Sequence, residues 1–276
     1  MMIGITEQPL GALIPKHLHQ TFAVTDLPAP LRGNIDALRV QNPGWNHTLY
    51  TDVDIRAFIA DEYGRGVLRL YDRIAEGYGA ARADLFRYLL MYRLGGVYLD
   101  VKSSFRRPID EVINGQEGYI LSHWRNGPSE PHAGWGIHGA LDQMPGGEFQ
   151  QWHIIAAPGH PFLRAVIARV LDNIRRYSVR RNEVGWPGVL GLTGPIAYTL
   201  AIAPLVGRYP ARILANETEI GLDYNVLGGS AHQRLFGGRH YTSLTHPVVR
   251  QPGPRGWLDR LHVEVRRRRK AWSGQS

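Results

Sequence analysis

The sequence of 276 residues predicts an α/β protein. Residues 80–94 have the pattern of a helix that stops at Gly95 and Gly96, since glycine is the expected residue after a helix end. Residues 97–101 then alternate between apolar and polar side chains, which is the period of a strand. Further strands are predicted before and after this unit, and a strand–helix–strand order is typical of an α/β sheet.

In chain order, the other predicted elements are a strand with its loop at 14–22, a strand at 49–50, a helix capped by Asp52 or Asp54, a strand at 151–156 and a helix at 161–177. The uncharged run 189–207 is long enough to cross a membrane, but prolines and glycines interrupt it. We therefore expect a buried core helix there.

The composition excludes several classes of protein. The chain has no cysteine, which rules out a disulfide scaffold, a zinc ribbon and an iron–sulfur site. Its 43% hydrophobic content is that of a globular protein. A net charge of +8 permits nucleic acid, anionic lipid or nucleotide diphosphates as partners and selects none of them. The first residues do not resemble a signal peptide, so we expect a cytoplasmic location.

Charged residues stand out in the best-defined helix and strand. Asp84 and Arg87 share one face of an otherwise apolar helix, where they form either a core ion pair or part of a ligand site. Asp100 ends the next strand, and ligands of open α/β sheets bind at the carboxyl ends of strands. A carboxylate there can accept hydrogen bonds from ribose or sugar hydroxyls. Gly95 and Gly96 would let the backbone approach a bulky ligand.

An ordered set of motifs resembles glycosyltransferases that contain a DXD sugar-binding region. The motifs are IPK at 14–16, HQTF at 19–22, ARADLFRY at 81–88, LGGVYLDVK at 94–102, RPID at 107–110 and TGP at 193–195. The family includes fungal initiating mannosyltransferases, bacterial capsule and lipopolysaccharide enzymes and, more distantly, clostridial glucosylating toxins. Tryptophan is commoner in the family where Phe22 stands.

The resemblance implies a GT-A fold, a nucleotide-binding, Rossmann-like sheet with flanking helices in a single domain. We expect residues 1–250 to form this domain and residues 251–276 a basic tail. The implied reaction is retaining transfer of a sugar from a nucleotide diphosphate sugar, UDP- favoured over GDP-. The implied acceptor is an oligosaccharide or a lipid-linked glycan, in bacterial polysaccharide biosynthesis.

The resemblance also implies roles for individual residues. The expected donor-binding residues are His19, Phe22, Asp84, Arg87, Tyr98, Asp100 and Lys102. Asp84 and Arg87 would hold the ribose and the donor sugar. Asp100 would contact one of these groups, act in catalysis and help position the metal.

Lys102 departs from the family pattern, which has a second aspartate at this position that binds a divalent cation. A lysine cannot be an oxygen ligand, but it can neutralise a diphosphate directly. Either Asp100 holds the metal with a distant residue, or the site works without one. We expect retained Mn²⁺ or Mg²⁺ on Asp100 and His246, with His240 as the other candidate.

Two further features bear on the acceptor. Glu148 could orient the acceptor hydroxyl or act as a base, or be an ordinary solvated glutamate. The loop at 122–138 carries tryptophans and histidines, which suit either an acceptor-binding lid or a surface loop with its aromatic side chains tucked inward. The basic run at 266–270 is either a solvated end or a peripheral anchor on the anionic inner face of a membrane.

Other classes of function are kept as alternatives. Lys102 makes a catalytically inactive module that binds sugar nucleotides or glycans conceivable. A glycoside hydrolase needs two facing carboxylates, and Asp100 has no evident partner. A nucleic-acid binder is suggested by the basic charge alone, and we expect no such partner.

Overall fold

The computed structural model describes residues 5–114, 116–228 and 241–273. Its strands are β1 (His17–Thr21), β2 (Asn46–Tyr50), β3 (Gly96–Leu99), β4 (Ser104–Phe105), β5 (Tyr119–Ser122), β6 (His153–Ala156), β7 (Arg212–Leu214) and β8 (Leu222–Asp223). Its α-helices are α1 (Ala29–Gln41), α2 (Asp52–Arg73), α3 (Gly79–Leu94), α4 (Ile109–Val112), α5 (Pro161–Arg176), α6 (Val179–Asn182), α7 (Gly185–Leu192), α8 (Pro195–Ile202) and α9 (Gly253–Ser273).

Six of these strands form one sheet in the order β2-β1-β3-β6-β5-β7, and β4 pairs separately with β8. β1 is parallel to both β2 and β3, and β5 is parallel to β7. β6 runs antiparallel to its two neighbours, β3 and β5. This open, mainly parallel sheet with flanking helices has the form expected of a GT-A sheet, and the predicted α/β class is confirmed.

The two faces of the sheet belong to different hydrophobic clusters because side chains alternate along a strand. Tyr98 and Ile154 point to the face covered by α2, α3, α5, α7 and α8. Val97 and Ile155 point to the other face, where α1 and α4 pack. Helices on both faces bury the sheet, which explains why β3 and β6 are buried along their whole length.

Helix α3 is the most deeply buried helix next to the functional region. Every residue from 84 to 92 is buried, so this part of the helix has no solvent-facing stripe. Asp84 and Arg87 are therefore carried into the interior, where a charged group requires a partner.

The turn at Gly95 and Gly96 serves the protein's own packing. Both residues have positive φ, 65° and 100°. A Cβ at Gly96 would lie 2.5 Å from the carbonyl oxygen of His17, and one at Gly95 would lie 2.6 Å from the backbone nitrogen of Pro158. The prediction that these glycines admit a ligand is wrong, because neighbouring backbone already occupies the space beside them.

Two local predictions need correction. Thr51, rather than Asp52 or Asp54, is the N-cap of α2, and Asp54 completes a capping box with it. The apolar run forms two helices, α7 and α8, separated at Thr193 and Gly194. In the described residues, 185–205 is the one stretch long and apolar enough to span a membrane, yet 56% of it is buried, as in a core helix.

The C-terminal segment is helical and docks on the body. Val179 donates its backbone N–H to Asp259 of α9 over 2.9 Å. Arg73 donates to the side chain of Gln251, which in turn donates to the carbonyl of Tyr177. The side chains of residues 266–270 lie outside the described part, so the basic anchor and the division at residue 250 stay predictions.

We expect Gly96→Ala to lower the free energy of unfolding by about 3 kcal/mol, because alanine is strained at this φ and its Cβ meets the His17 carbonyl. Gly33→Ala is the matched control. Gly33 lies within α1 with open space around it, so this change should stabilise by about 0.5–1 kcal/mol. Urea denaturation followed by circular dichroism measures the free energy of unfolding of both variants. Equal changes in the two variants would contradict the close packing assigned to Gly96.

Candidate functional site

The site lies beside β1, where successive strands of the chain are added to opposite sides of the sheet. From β1 the chain proceeds to β2 on one side, and it later returns to β3 on the other side of β1. The carboxyl ends of β1 and β3 therefore flank a crevice at a topological switch point, where open α/β sheets bind ligands. Thr21 and Tyr98 join the two strand ends through hydroxyl groups 3.0 Å apart.

Arg87 is fixed by groups from three different elements. Its Nη1 lies 3.1 Å from Asp100 Oδ1 and donates to the carbonyl of Gln151 over 2.7 Å, while its Nη2 lies 3.3 Å from Asp84 Oδ1. The guanidinium also stacks on Tyr98, 4.8 Å from the ring centre. Burial alone would lower the pKa of Arg87, but Asp100, Tyr98 and Asp84 more than offset this and raise it. Arg87 is thus a permanent, oriented positive charge.

Asp84 accepts hydrogen bonds on both of its oxygens. Thr193 donates its hydroxyl to Oδ2 over 2.9 Å, and Gln151 donates its amide to Oδ1 over 3.1 Å. Burial raises the pKa of Asp84, whereas Arg87 and these hydrogen bonds lower it. The side chains of Asp84 and Arg87 are only 3% and 5% exposed, against 27% for Asp100. Asp100 is therefore the member of this group that faces the crevice.

Lys102 turns its ammonium group onto an aromatic ring. Its Nζ lies 3.9 Å from the ring centre of Tyr224, and the residue is 7% exposed. Burial lowers the pKa of Lys102 to about 8, with Asp100 raising it and Arg87 lowering it further. Within the ranges that the structure describes, the ammonium group has neither an ion pair nor a hydrogen bond.

The described residues do not fit the divalent cation expected from the sequence. They contain no group of three histidine, aspartate or glutamate side chains that could hold a metal ion. Asp84 is buried in its ion pair, and Lys102 occupies the position of the second carboxylate. Of the two described carboxylates that contact Arg87, Asp100 is the accessible one.

The structure does not bring His246 to Asp100. The His246 ring packs against Tyr78, whose ring centre is 5.0 Å away. Tyr78 is the N-cap of α3 and precedes Arg87 by nine residues, roughly 13 Å along a helix axis. His246 thus packs at the start of α3, whereas Asp100 is held by Arg87 farther along that helix. His240 lies outside the described residues.

The remaining expected donor residues have structural contacts. His19 donates from Nε2 to the carbonyl of Gly95 over 3.1 Å, and its Nδ1 lies 3.3 Å from the Tyr50 hydroxyl. Burial lowers the pKa of His19 to about 4, so this ring is neutral and internal. Tyr98 is buried beneath Arg87, whereas Phe22 is partly exposed at the end of β1.

Glu148 is engaged on both carboxylate oxygens. Trp124 donates its indole N–H to Oε1 over 2.7 Å, and His138 donates from Nε2 to Oε2 over 2.7 Å. The residue is buried, so the alternative that Glu148 is an ordinary solvated glutamate is wrong. Trp124 in turn belongs to a cluster of aromatic rings whose other members are His132, Trp135, Trp152 and Tyr224. This cluster connects Glu148 to the ring beneath Lys102.

Sequence reasoning missed three residues of the site. Gln151 and Thr193 hold Asp84, and Tyr224 supports Lys102. Thr193 lies in the TGP motif and Gln151 begins the strand predicted at 151–156, but the sequence did not indicate that either residue would contact Asp84. Tyr224 follows β8 and had no sequence signal, because only the tertiary fold brings it to the end of β3.

Residues 28–119 match the family described as "Glycosyltransferase sugar-binding region containing DXD motif". An inositol phosphoceramide mannosyltransferase 3 of Schizosaccharomyces pombe is 34% identical over 67% of this chain and 44% of its own length. An initiation-specific alpha-1,6-mannosyltransferase of Candida albicans is 28% identical over 58% of this chain and 43% of its own length. The chain spans about half the length of the curated relatives it matches.

Two solved structures also resemble the chain. The PaToxG glycosyltransferase is 17% identical, covers 71% of both chains and has a TM-score of 0.48. The UDP-bound glycosyltransferase domain of the YGT toxin is 11% identical, covers 78% of this chain and 81% of its own, and has a TM-score of 0.47.

The relatives overturn the expected cytoplasmic location. The fission-yeast relative is named for inositol phosphoceramide, a ceramide lipid. A budding-yeast relative is named a mannosyl phosphorylinositol ceramide synthase. The relatives therefore contradict the prediction of a cytoplasmic protein that is peripheral on an inner membrane face, and that prediction is wrong. These relatives are fungal and lend no support to a bacterial polysaccharide enzyme.

The family match contains the best-defined part of the site. Residues 28–119 include Asp84 and Arg87 on α3 as well as Asp100 and Lys102 after β3. The family's description names a sugar-binding region with a DXD motif, which is the family that the sequence motifs resemble. The chain therefore carries the sugar-binding region of the DXD-containing glycosyltransferase family, and the family predicted from its sequence is confirmed.

Proposed function

We propose that this chain transfers a hexose from a nucleotide diphosphate sugar to a glycan or lipid-linked acceptor. The observation that carries this proposal is the guanidinium of Arg87, which Asp84 and Asp100 hold at the switch point between β1 and β3. Mannose is the first sugar to consider, because the relatives are named mannosyltransferases. We propose retention of the anomeric configuration, as the family resemblance implies.

Asp100 is the residue proposed to bind donor hydroxyls. Its Oδ1 is held by Arg87, with the Tyr98 hydroxyl 3.5 Å away. Its Oδ2 has no hydrogen-bond partner among the described residues, and it can accept from hydroxyls of the ribose or the sugar. A charge-assisted hydrogen bond of this kind is stronger than a neutral one and fixes the geometry of the donor.

Arg87 and Lys102 supply positive charge beside Asp100. Transfer breaks the bond between the sugar and the diphosphate, so negative charge develops on the departing phosphate oxygens. Oriented positive groups in a poorly solvated site stabilise such charge without reorganising. Asp84 acts as a positioning residue, because it holds Arg87 and does not itself face the crevice.

We propose that the acceptor lies on the side of the aromatic loop. Glu148 fixes His138, and the His138 ring lies 6.5 Å from the ring of Trp186. Trp135 and Trp186 are 48% and 46% exposed, and tryptophan faces pack well on sugar rings. Glu148 would thus orient the acceptor through His138 instead of contacting it directly. Contact of the basic tail with an anionic membrane remains a prediction from the sequence.

The function is tested by nucleotide release from UDP- and GDP-hexoses, with and without glycan acceptors, and by NMR assignment of the product anomer. The family resemblance implies that UDP-sugars are favoured over GDP-sugars as donors. We expect Asp100→Asn to lower transfer about 100-fold, because the carboxylate that binds the hydroxyls is lost. Asp110→Asn, which removes an exposed carboxylate paired with Lys16, should leave the rate unchanged. Donor binding without transfer to any acceptor would instead favour an inactive binding module.

We expect Asp84→Ala to cost about 3–5 kcal/mol in the free energy of unfolding, because it removes one partner of a buried ion pair. Donor affinity should fall as well, since Arg87 loses its orientation. The control is Glu76→Ala, an exposed partner of Arg250, which should cost less than about 1 kcal/mol. Asp84→Asn keeps the hydrogen-bond acceptor and should recover part of the affinity. Full donor affinity in the folded alanine variant would refute the positioning role.

We expect Trp186→Ala to raise the KM for the acceptor about tenfold while donor hydrolysis stays unchanged, because an exposed stacking surface is lost. Trp257→Ala removes a comparably exposed tryptophan on α9 and should change neither quantity. Steady-state kinetics with varied acceptor and varied donor separates the two effects. A rise in the donor KM alone would place Trp186 on the wrong side of the site.

A further inference from the structure

Lys102 is a buried residue whose ammonium group forms no ion pair with any described residue. The residue is 7% exposed, and its Nζ contacts the face of Tyr224. In the part of the chain that the structure describes, the group makes no ion pair or hydrogen bond. Burying a charge without a partner is costly, so a protein that retains one uses it for a ligand or a function.

The surrounding residues hold the backbone of Lys102 and the Tyr224 ring beside its ammonium group in place. Ser103 donates its hydroxyl to the carbonyl of Tyr224 over 2.7 Å, and Val226 donates its backbone N–H to the carbonyl of Lys102 over 2.9 Å. Tyr224 also packs against Trp152, whose ring centre is 5.4 Å away. The segment after β8 is thus tied to the end of β3, and it presents one aromatic face to Lys102.

Lys102 carries the same net charge as the aspartate and bound divalent cation that the family has at this position. A second aspartate with a divalent cation bound to it carries a local charge of plus one, and so does a lysine alone. A divalent cation placed beside Lys102 would be repelled by the ammonium group, and the described residues offer it no group of three carboxylate or histidine ligands. A diphosphate meets the opposite conditions, because lysine binds phosphate as a point charge.

We propose that Lys102 binds the diphosphate of the donor directly and takes the place of the divalent cation, so that the donor binds without metal. This inference rests on the proposed function, because it needs a nucleotide diphosphate in the crevice beside Asp100. Tyr224 is then a positioning residue that keeps the ammonium group at the end of β3. The proposal also replaces the expectation from the sequence that a divalent cation is required.

The test is isothermal titration calorimetry of the full chain with UDP and with GDP, each in EDTA and in Mn²⁺. We expect the Kd of the nucleotide that binds to agree within twofold between the two conditions. Lys102→Met keeps the side-chain volume and removes the charge, so it should weaken binding about 10- to 100-fold in EDTA. Lys16→Met removes an exposed lysine and should change nothing.

A second variant keeps the proposal falsifiable should Lys102→Met fold poorly. Lys102→Asp restores the carboxylate of the family motif, and we expect it to bind nucleotide in Mn²⁺ but not in EDTA. Loss of wild-type binding in EDTA, or unchanged binding by a folded Lys102→Met variant, would overturn the role of Lys102 and leave the proposed function standing. A wild-type chain that binds neither nucleotide in either condition would overturn both.

Discussion

The buried guanidinium of Arg87 is the interaction on which the rest of the site depends. An arginine cannot lose its proton, so a helix that carries one into the core must find acceptors for it there. The acceptors are Asp84 on α3 itself, Asp100 at the end of β3, and the carbonyl of Gln151, two residues before β6. These contacts fix how α3 lies on the sheet. Thr193 extends the same network to the junction of α7 and α8 by donating to Asp84.

The network divides the site into a rigid base and an accessible front. Asp84 and Arg87 are almost completely buried and serve as the base, whereas Asp100 reaches the crevice. Lys102 adds a second positive charge that rests on Tyr224. Because these charges are already oriented without the donor, little reorganisation would accompany the departure of a diphosphate. The aromatic rings between Lys102 and Glu148 join this proposed donor side to the proposed acceptor side.

The comparisons and the geometry inform different parts of the reaction. The family match covers α3 and β3 and therefore the residues proposed to bind the donor. Glu148, Thr193 and Tyr224 all lie beyond the matched region, although they complete the surroundings of Asp84 and Lys102. The names of the relatives concern mannose and, in several, a ceramide lipid, which sets the acceptor chemistry to be examined first.

The sequence by itself determined the α/β class, the helix–glycine–strand unit and the grouping of Asp84, Arg87 and Asp100. These follow from local periodicity and from motif residues that are close together along the chain. The tertiary structure alone decided which strand ends meet at the switch point, that Gln151 and Tyr224 join the site, and that His246 lies elsewhere along α3. It also decided that Gly95 and Gly96 accommodate neighbouring backbone instead of a ligand. The physical reason is that contacts between residues distant in the chain depend on how helices and strands pack, and no local pattern records that packing.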